Sequence, residues 1–391
     1  MMKLLFVQKV KALVGSEKYF LELLPAIEAK GHQTTFICIY SKIDKEKTIP
    51  FITAMRKANI ELHVLEINSE KAILKCARFI RKVYKKGNFD LVHSHLIHAD
   101  LWCALLKKMK QITCPLVSTK HGYDEAYISK HGFSAEALQP NRYYRICKFS
   151  EKHIDQSFAV SEGLRQLFIE SKICKSDGIS TIHHGFDLPT VSHQKNEVFR
   201  NSKQQLVILG RIIPFKGHEL LLKALPKVKA VFPAFNLQII GHGDADLIQK
   251  LNTYLEKNDL SKNVTFTGYQ SNIYDYLVNS DVMLVPSISE GFGLIFLEAM
   301  NAQIPIIGFD VSATNEIIIH KETGVLIPPF DTDKLGEAII EILSNTALAK
   351  QYVMASNERL KGYFSLERMT NATLEFYQAS LAEFSNKNKA K

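Results

Sequence analysis

At 391 residues, with 46% hydrophobic and 23% charged side chains, the chain is long enough for about two domains and too apolar for a disordered one. No apolar run approaches the roughly 20 residues that cross a bilayer, which excludes a membrane-spanning helix. The net charge of +9 is an amino-terminal property: residues 1–150 hold 25 Lys and Arg against 13 Asp and Glu, whereas residues 151–391 hold 24 against 27.

The opening residues, Met1 to Val10, have too short an apolar core for a signal peptide and read as a first strand. Strands are predicted at Lys3–Gln8, Thr34–Ile39, Glu61–Leu65, Leu91–Ser94, Leu116–Thr119, Gln156–Ala159 and Gly178–Ile182. A helix, Lys18–Lys30, lies between the first two and is closed by Gly31. Six cysteines (Cys38, Cys76, Cys103, Cys114, Cys147 and Cys174) are scattered through this half, mostly in apolar segments and with no C-x-x-C pair. Buried thiols in a reducing cytoplasm are therefore expected rather than disulfides or zinc. His93 and His95 end one strand and point the same way, but no carboxylate or cysteine completes a ligand set, so no metal site is predicted. The next strand ends in Thr119-Lys120-His121-Gly122.

Pro189–Gln204 is polar and aperiodic, which suits an interdomain linker. Beyond it, strands are predicted at Leu206–Leu209, Asn236–Ile240, Val264–Thr267, Val282–Val285, Ile304–Ile307 and Gly324–Ile327, with helices between. This rhythm predicts an α/β fold of two doubly wound Rossmann-like domains facing a central cleft, with ligands at the carboxyl ends of the strands. The domains are read as residues 1–188 and 205–364, joined by the linker 189–204. Gly241-His242-Gly243-Asp244 lacks the third glycine of a dinucleotide fingerprint and reads as a structural turn.

Two strand–loop–helix corners carry the chemistry. Gly210-Arg211-Ile212-Ile213-Pro214-Phe215-Lys216-Gly217 puts two cations beside the free amides of a helix amino terminus, a combination suited to a diphosphate. In Ser289-Glu290-Gly291-Phe292-Gly293-Leu294 the glycines let the backbone turn tightly, and Glu298 follows on the second turn of the next helix. Carboxylates so placed suit the hydroxyls of a sugar and a ribose. The bland reading is an ordinary corner with surface glutamates and a solvated Arg and Lys.

In this order, the two segments resemble the retaining GT-B glycosyltransferases of glycosyltransferase family 4. The resemblance implies that Arg211 and Lys216 hold the diphosphate of a UDP- or GDP-sugar, Glu290 the donor sugar and Glu298 the ribose. Backbone at Phe292, Gly293 and Leu294 completes the donor contacts. It further implies that His121 faces the donor sugar, although a structural histidine fits the residue pattern equally, and that Gly15 approaches the distal phosphate. Val14 replaces the family's usual glycine in that loop, and His184 the usual Asn in His184-Gly185-Phe186-Asp187, read as a junction turn. By the same resemblance, the last helix, residues 365–385, packs back on the first domain. That domain takes the acceptor, a polysaccharide, lipopolysaccharide or lipid-linked glycan. No metal and no cofactor is implied.

A predicted helix, Glu70–Lys86, stacks Lys71, Lys75, Arg78, Lys82 and Lys85 along one face and apolar residues on the other. Such a stripe suits anionic lipid head groups, each cation contributing about 1 kcal/mol, or is simply a solvated face. Nucleic acid is not an expected partner, since no binding motif accompanies the charge. The chain is expected in the cytoplasm, with peripheral contact to the cytoplasmic face of the inner membrane if the stripe is used. Two other classes stay open: a GT-B enzyme such as a nucleotide-sugar epimerase, and a non-catalytic nucleotide-sugar-binding subunit.

Overall fold

The computed structural model describes residues 1–13, 15–69, 71–124, 127–128, 132, 134–135, 141–187, 189, 191 and 204–389. Val14, Glu70 and nearly all of the expected linker lie outside the described residues. The chain divides into two compact units: Met1–Asp124 with Phe133–Asp187 and Ser365–Lys391, and Glu125–Gly132 with Leu188–Phe364.

The first unit is built on β1 (Lys3–Lys9), β2 (Gln33–Ser41), β3 (Glu61–Ile67), β4 (Leu91–His95), β5 (Leu116–Lys120), β6 (Gln156–Ala159) and β7 (Ile179–Thr181). They form one parallel sheet in the order β3-β2-β1-β4-β5-β6-β7. Leu4, Leu5, Phe6 and Val7 are all buried, because helices cover both faces of a parallel sheet and the middle of a central strand faces apolar layers on either side. After β3 the chain returns past β1 to start β4, so the crevice where the winding reverses lies between β1 and β4. Phe20 and Leu24 of the helix Gly15–Ala29 pack in one core layer with Tyr377 of the long helix Leu366–Lys389.

The second unit holds β8 (Gln205–Leu209), β9 (Asn236–Ile240), β10 (Val264–Gly268), β11 (Val282–Val285), β12 (Ile306–Phe309) and β13 (Val325–Ile327). They are parallel, in the order β10-β9-β8-β11-β12-β13, and reverse direction of winding between β8 and β11. β12 begins two residues later than the sequence suggests. Pro305 has no N–H to give the ladder and contributes only its carbonyl, which accepts from Met283 N at 2.9 Å.

The basic helix also starts late, at Ile73 instead of Glu70. The Ser69 hydroxyl accepts the Lys71 N–H (3.2 Å) and its carbonyl accepts the Ala72 N–H (3.1 Å), closing a turn ahead of the helix. Lys71 therefore stands off the stripe. Lys75, Arg78, Lys82 and Lys85 are exposed on the helix, while Cys76, Ile80 and Val83 are buried. All six cysteines are free thiols, five of them buried.

Candidate active site

In the second unit both chemistry-bearing loops leave neighbouring strands at the reversal point. After β8 the chain passes Arg211, which is exposed, and a single 3-10 turn, Pro214–Lys216, before Gly217 caps the helix His218–Val231. Gly217 has φ +73°, and a Cβ there would lie 1.8 Å from the Pro286 carbonyl oxygen at the end of β11. Only glycine lets the two loops meet this closely. Ile288 N donates to Phe215 O at 2.9 Å and ties the loops together.

The turn Gly241–Asp244 braces the same loop. Ile212 N donates to His242 O at 3.0 Å, and a Cβ on Gly241 would strike the Gly210 carbonyl at 1.9 Å. The turn is structural, and its task is to hold the segment that carries Arg211.

The decisive contact joins the two loops. Lys216 Nζ sits 2.6 Å from Glu290 Oε1, with side-chain exposures of 16% and 5%. Three residues on, Gly293 (φ +85°) caps the helix Leu294–Asn301. Its Cα leaves room for the Phe296 ring, which a Cβ would meet at 2.7 Å. Two helix amino termini, one ammonium and one carboxylate thus converge at the reversal point. Phe292 is buried against Phe364, so it can offer a ligand its backbone alone. Glu298 is half-buried on the second turn; burial pushes the nearby Tyr274 hydroxyl up to about 12, against a hydrogen bond from Asn301 and with a smaller push from the Glu298 charge. An arrangement of this kind neutralises an anion at the amides and ammonium and accepts hydroxyl protons at the carboxylates.

Sequence reasoning missed two residues here. His218 is 2% exposed, and neither ring nitrogen has a hydrogen-bond partner among the described residues; burial, then Lys216, lowers its pKa to about 4. The Ser289 hydroxyl is likewise buried without a partner among the described residues. Their place directly beside Gly217 and Glu290 was the available signal.

The first unit carries a second polar centre at its own reversal point. Gln8 Nε2, at the end of β1, donates to Glu17 Oε1 at 2.5 Å, and Ser16 Oγ donates to Glu17 Oε2 at 2.9 Å. Gly15 starts the helix that carries this buried glutamate. At the ends of β4 and β5 lies a run of histidines. His93 spans Tyr377 OH (2.6 Å) and Thr119 Oγ1 (2.7 Å), and His95 Nδ1 meets His121 Nε2 at 3.0 Å. His184 lies parallel to His121, ring centroids 5.5 Å apart at 17°. The residue read as a junction turn is therefore a ring of this cluster. Beside it, buried Lys120 is paired with Asp100 (2.7 Å) and with Glu151. Burial alone would lower its pKa, but the two carboxylates outweigh burial and hold it above the ordinary value.

Two family models cover most of the chain: Glycosyltransferase Family 4 over residues 14–189 and Glycosyl transferases group 1 over residues 191–359. The chain belongs to glycosyltransferase family 4. This glycosyltransferase is 25% identical over 364 residues to a phosphatidyl-myo-inositol mannosyltransferase of Mycobacterium tuberculosis, covering 89% of each chain. It is 25% identical over 388 residues to an N-acetyl-alpha-D-glucosaminyl L-malate synthase of Bacillus anthracis, covering 95% of this chain and 96% of the other. Among solved structures it resembles Anabaena HepE in complex with UDP and glucose (TM-score 0.79, 17% identity, 97% and 100% coverage). Sucrose-phosphate synthase of Thermosynechococcus elongatus is similar to the same degree (TM-score 0.79, 19% identity, 98% and 100% coverage). These likenesses establish the GT-B fold of the glycosyltransferase. No helix among the described residues is long and apolar enough to cross a membrane.

Proposed function

We propose that this glycosyltransferase moves a sugar from a UDP- or GDP-activated donor to a glycan or lipid-linked glycan acceptor, with retention and without a metal ion. The observation that carries the reading is the Lys216–Glu290 pair, set between two helix amino termini at the reversal point of the second unit. A donor diphosphate draws Lys216 toward itself and releases the Glu290 carboxylate to accept from a sugar hydroxyl. Arg211, Lys216 and the amides after Gly293 then stand where negative charge grows as the glycosidic bond breaks, which is the main electrostatic contribution to rate. Glu298 takes the ribose diol. Gly15 approaches the distal phosphate and His121 the donor sugar. The leaving phosphate oxygen takes the acceptor's proton in a front-face transfer.

A lipid-borne acceptor is supported by the name of one relative, a phosphatidyl-myo-inositol mannosyltransferase. In keeping with a lipid-borne acceptor, Ile43 (90% exposed) and Leu74 (71% exposed) project beside Lys42, Lys71 and Lys75, at corners of the adjacent strands β2 and β3. Apolar anchors within a basic surface suit an anionic membrane.

The test is hydrolysis and transfer measured across a panel of UDP- and GDP-sugars, with the product's anomeric configuration read by proton NMR. Turnover of one donor with retention is expected. Failure to turn over any donor refutes the reading, and an inverted product refutes the front-face route.

A further inference from the structure

His121 and His95 share one hydrogen bond, between His95 Nδ1 and His121 Nε2 at 3.0 Å. In a neutral imidazole one nitrogen carries hydrogen and the other a lone pair, so the contact has only two forms. If His121 donates, His95 must carry its own hydrogen on Nε2. That atom is fully buried and has no hydrogen-bond partner among the described residues. A buried N–H with no acceptor is among the rarest and costliest of polar groups, whereas an unmet lone pair is more easily tolerated. If His95 donates, its Nε2 is a lone pair only, and the hydrogen of His121 is on Nδ1.

We propose that His95 is a positioning residue that fixes His121 as the Nδ1–H tautomer, so that His121 meets the substrate as a hydrogen-bond donor and not as a base. The assignment rests on the proposed transferase reading only for the word substrate; the tautomer itself follows from the geometry. The surroundings hold the pair in place. Leu96, immediately after His95, has φ +66°, a conformation that non-glycine residues adopt only where their surroundings enforce it. His121 is bounded by His95 (5.3 Å, 30°), His184 (5.5 Å, 17°) and the edge of Tyr19 (5.2 Å, 74°). His95 also packs on His93 at 3.9 Å and on Phe20 at 4.4 Å. The charged group nearest in sequence, Lys120, is tied to Asp100 and Glu151. Burial, then Lys120 at His121 and the neighbouring histidines with Lys120 at His95, keeps both histidines neutral and lowers the pKa of His121 to about 3.

The result explains a division of labour that the front-face route requires. The acceptor's proton leaves on the donor's phosphate oxygen, so a basic nitrogen at His121 would compete for it. A fixed N–H instead grips a donor hydroxyl or phosphate oxygen and takes no proton.

The test reads the ring nitrogens of the full-length protein by two-bond proton–nitrogen NMR, with His121→Gln assigning the signals. The Nδ1–H pattern at His121 is expected; an Nε2–H pattern or an imidazolium at neutral pH overturns the proposal. His95→Asn retains an N–H at the position of Nδ1 and should keep both the tautomer and transfer within roughly threefold, less than the loss of one hydrogen bond. His95→Asp presents an oxygen there instead; it should turn His121 to Nε2–H and lower kcat/KM roughly tenfold, the loss of one donor. UDP or GDP affinity should be unchanged in both. Persistence of Nδ1–H in His95→Asp, or full activity after the tautomer has turned, overturns the role of His95. Should His95→Asp fail to fold, the wild-type and His95→Asn spectra decide. If no nucleotide sugar is turned over at all, the transferase reading fails while the NMR result still stands.

Discussion

Replacing Lys216 by methionine keeps its length and removes its charge, which leaves the nearly buried Glu290 carboxylate without the ammonium 2.6 Å away. At that separation the attraction is roughly 6 kcal/mol for an effective dielectric constant of about 20. Stripping water from both ions cancels most of this, so the pair adds little net stability. The damage comes from breaking it on one side only. For a fully buried pair that costs about 3–5 kcal/mol, and the residual exposure of Lys216 sets the expected loss near 3. Glu290→Gln keeps an oxygen that still accepts from Lys216 Nζ and should cost only about 1 kcal/mol. The double variant then loses about 2 kcal/mol less than the sum, because position 290 no longer holds an unpaired charge. The chain has a single tryptophan, Trp102, and it is buried in the first unit. Urea unfolding followed by both fluorescence and circular dichroism therefore separates the first unit's transition from the second's, where the effect belongs. Calorimetry with UDP and GDP supplies the functional half. Lys216→Met should bind roughly tenfold to a hundredfold more weakly, the loss of a charge-assisted bond. Glu290→Gln should bind free nucleotide at least as well as wild type, since Lys216 is no longer held by a carboxylate, yet transfer should fall. Strictly additive stabilities, or equal losses of nucleotide affinity in the two single variants, would refute this account of the pair.

Arg211→Ala should lower transfer tenfold to over a hundredfold, from a lost contact of about 1.5–3 kcal/mol to the leaving group; normal turnover with every donor would rule Arg211 out. Glu298→Gln should weaken UDP or GDP alone as much as the full donor, because it meets only the ribose, and an effect confined to the sugar nucleotide would count against that role. Wild-type protein should bind anionic vesicles at low salt and release them as the Debye length shrinks below about 8–10 Å; reversing Lys75, Lys82 and Lys85 should abolish this without changing nucleotide affinity. Indifference to vesicles even at low salt would make the stripe a solvated face. Stability should also fall in mild acid. Burial, then neighbouring positive groups, holds His93, His95, His121 and His184 below their ordinary pKa. The unfolded chain thus takes up protons near pH 6.5 that the folded chain refuses. The stabilisation is complete above that pH and is lost as pH falls, by up to about 1.4 kcal/mol per pH unit for each ring. A Trp102 unfolding midpoint that stays put between about pH 7 and pH 5 would contradict it.

Both sheets were legible along the chain because most strands are built on a short run of apolar residues bounded by turn residues, and a central parallel strand such as Leu4–Val7 shows no alternation to confuse the pattern. The loops with Arg211, Lys216, Glu290 and Glu298 were legible for a local reason: glycines mark where the backbone turns, and Gly217 and Gly293 both carry positive φ. Where sequence spacing misled, short-range hydrogen bonds had won over periodicity. The Ser69 turn removed Lys71 from its helix, and Pro305 delayed β12. What lay beyond the sequence is which side chains meet. Lys216 and Glu290 are 74 residues apart, and His95 and His121 are 26 apart. Their pairing depends on the order in which strands assemble, β8 beside β11 and β4 beside β5, and no local propensity encodes that. Tautomer and charge state follow from the same source, since burial among rings, not residue type, makes a histidine a fixed donor.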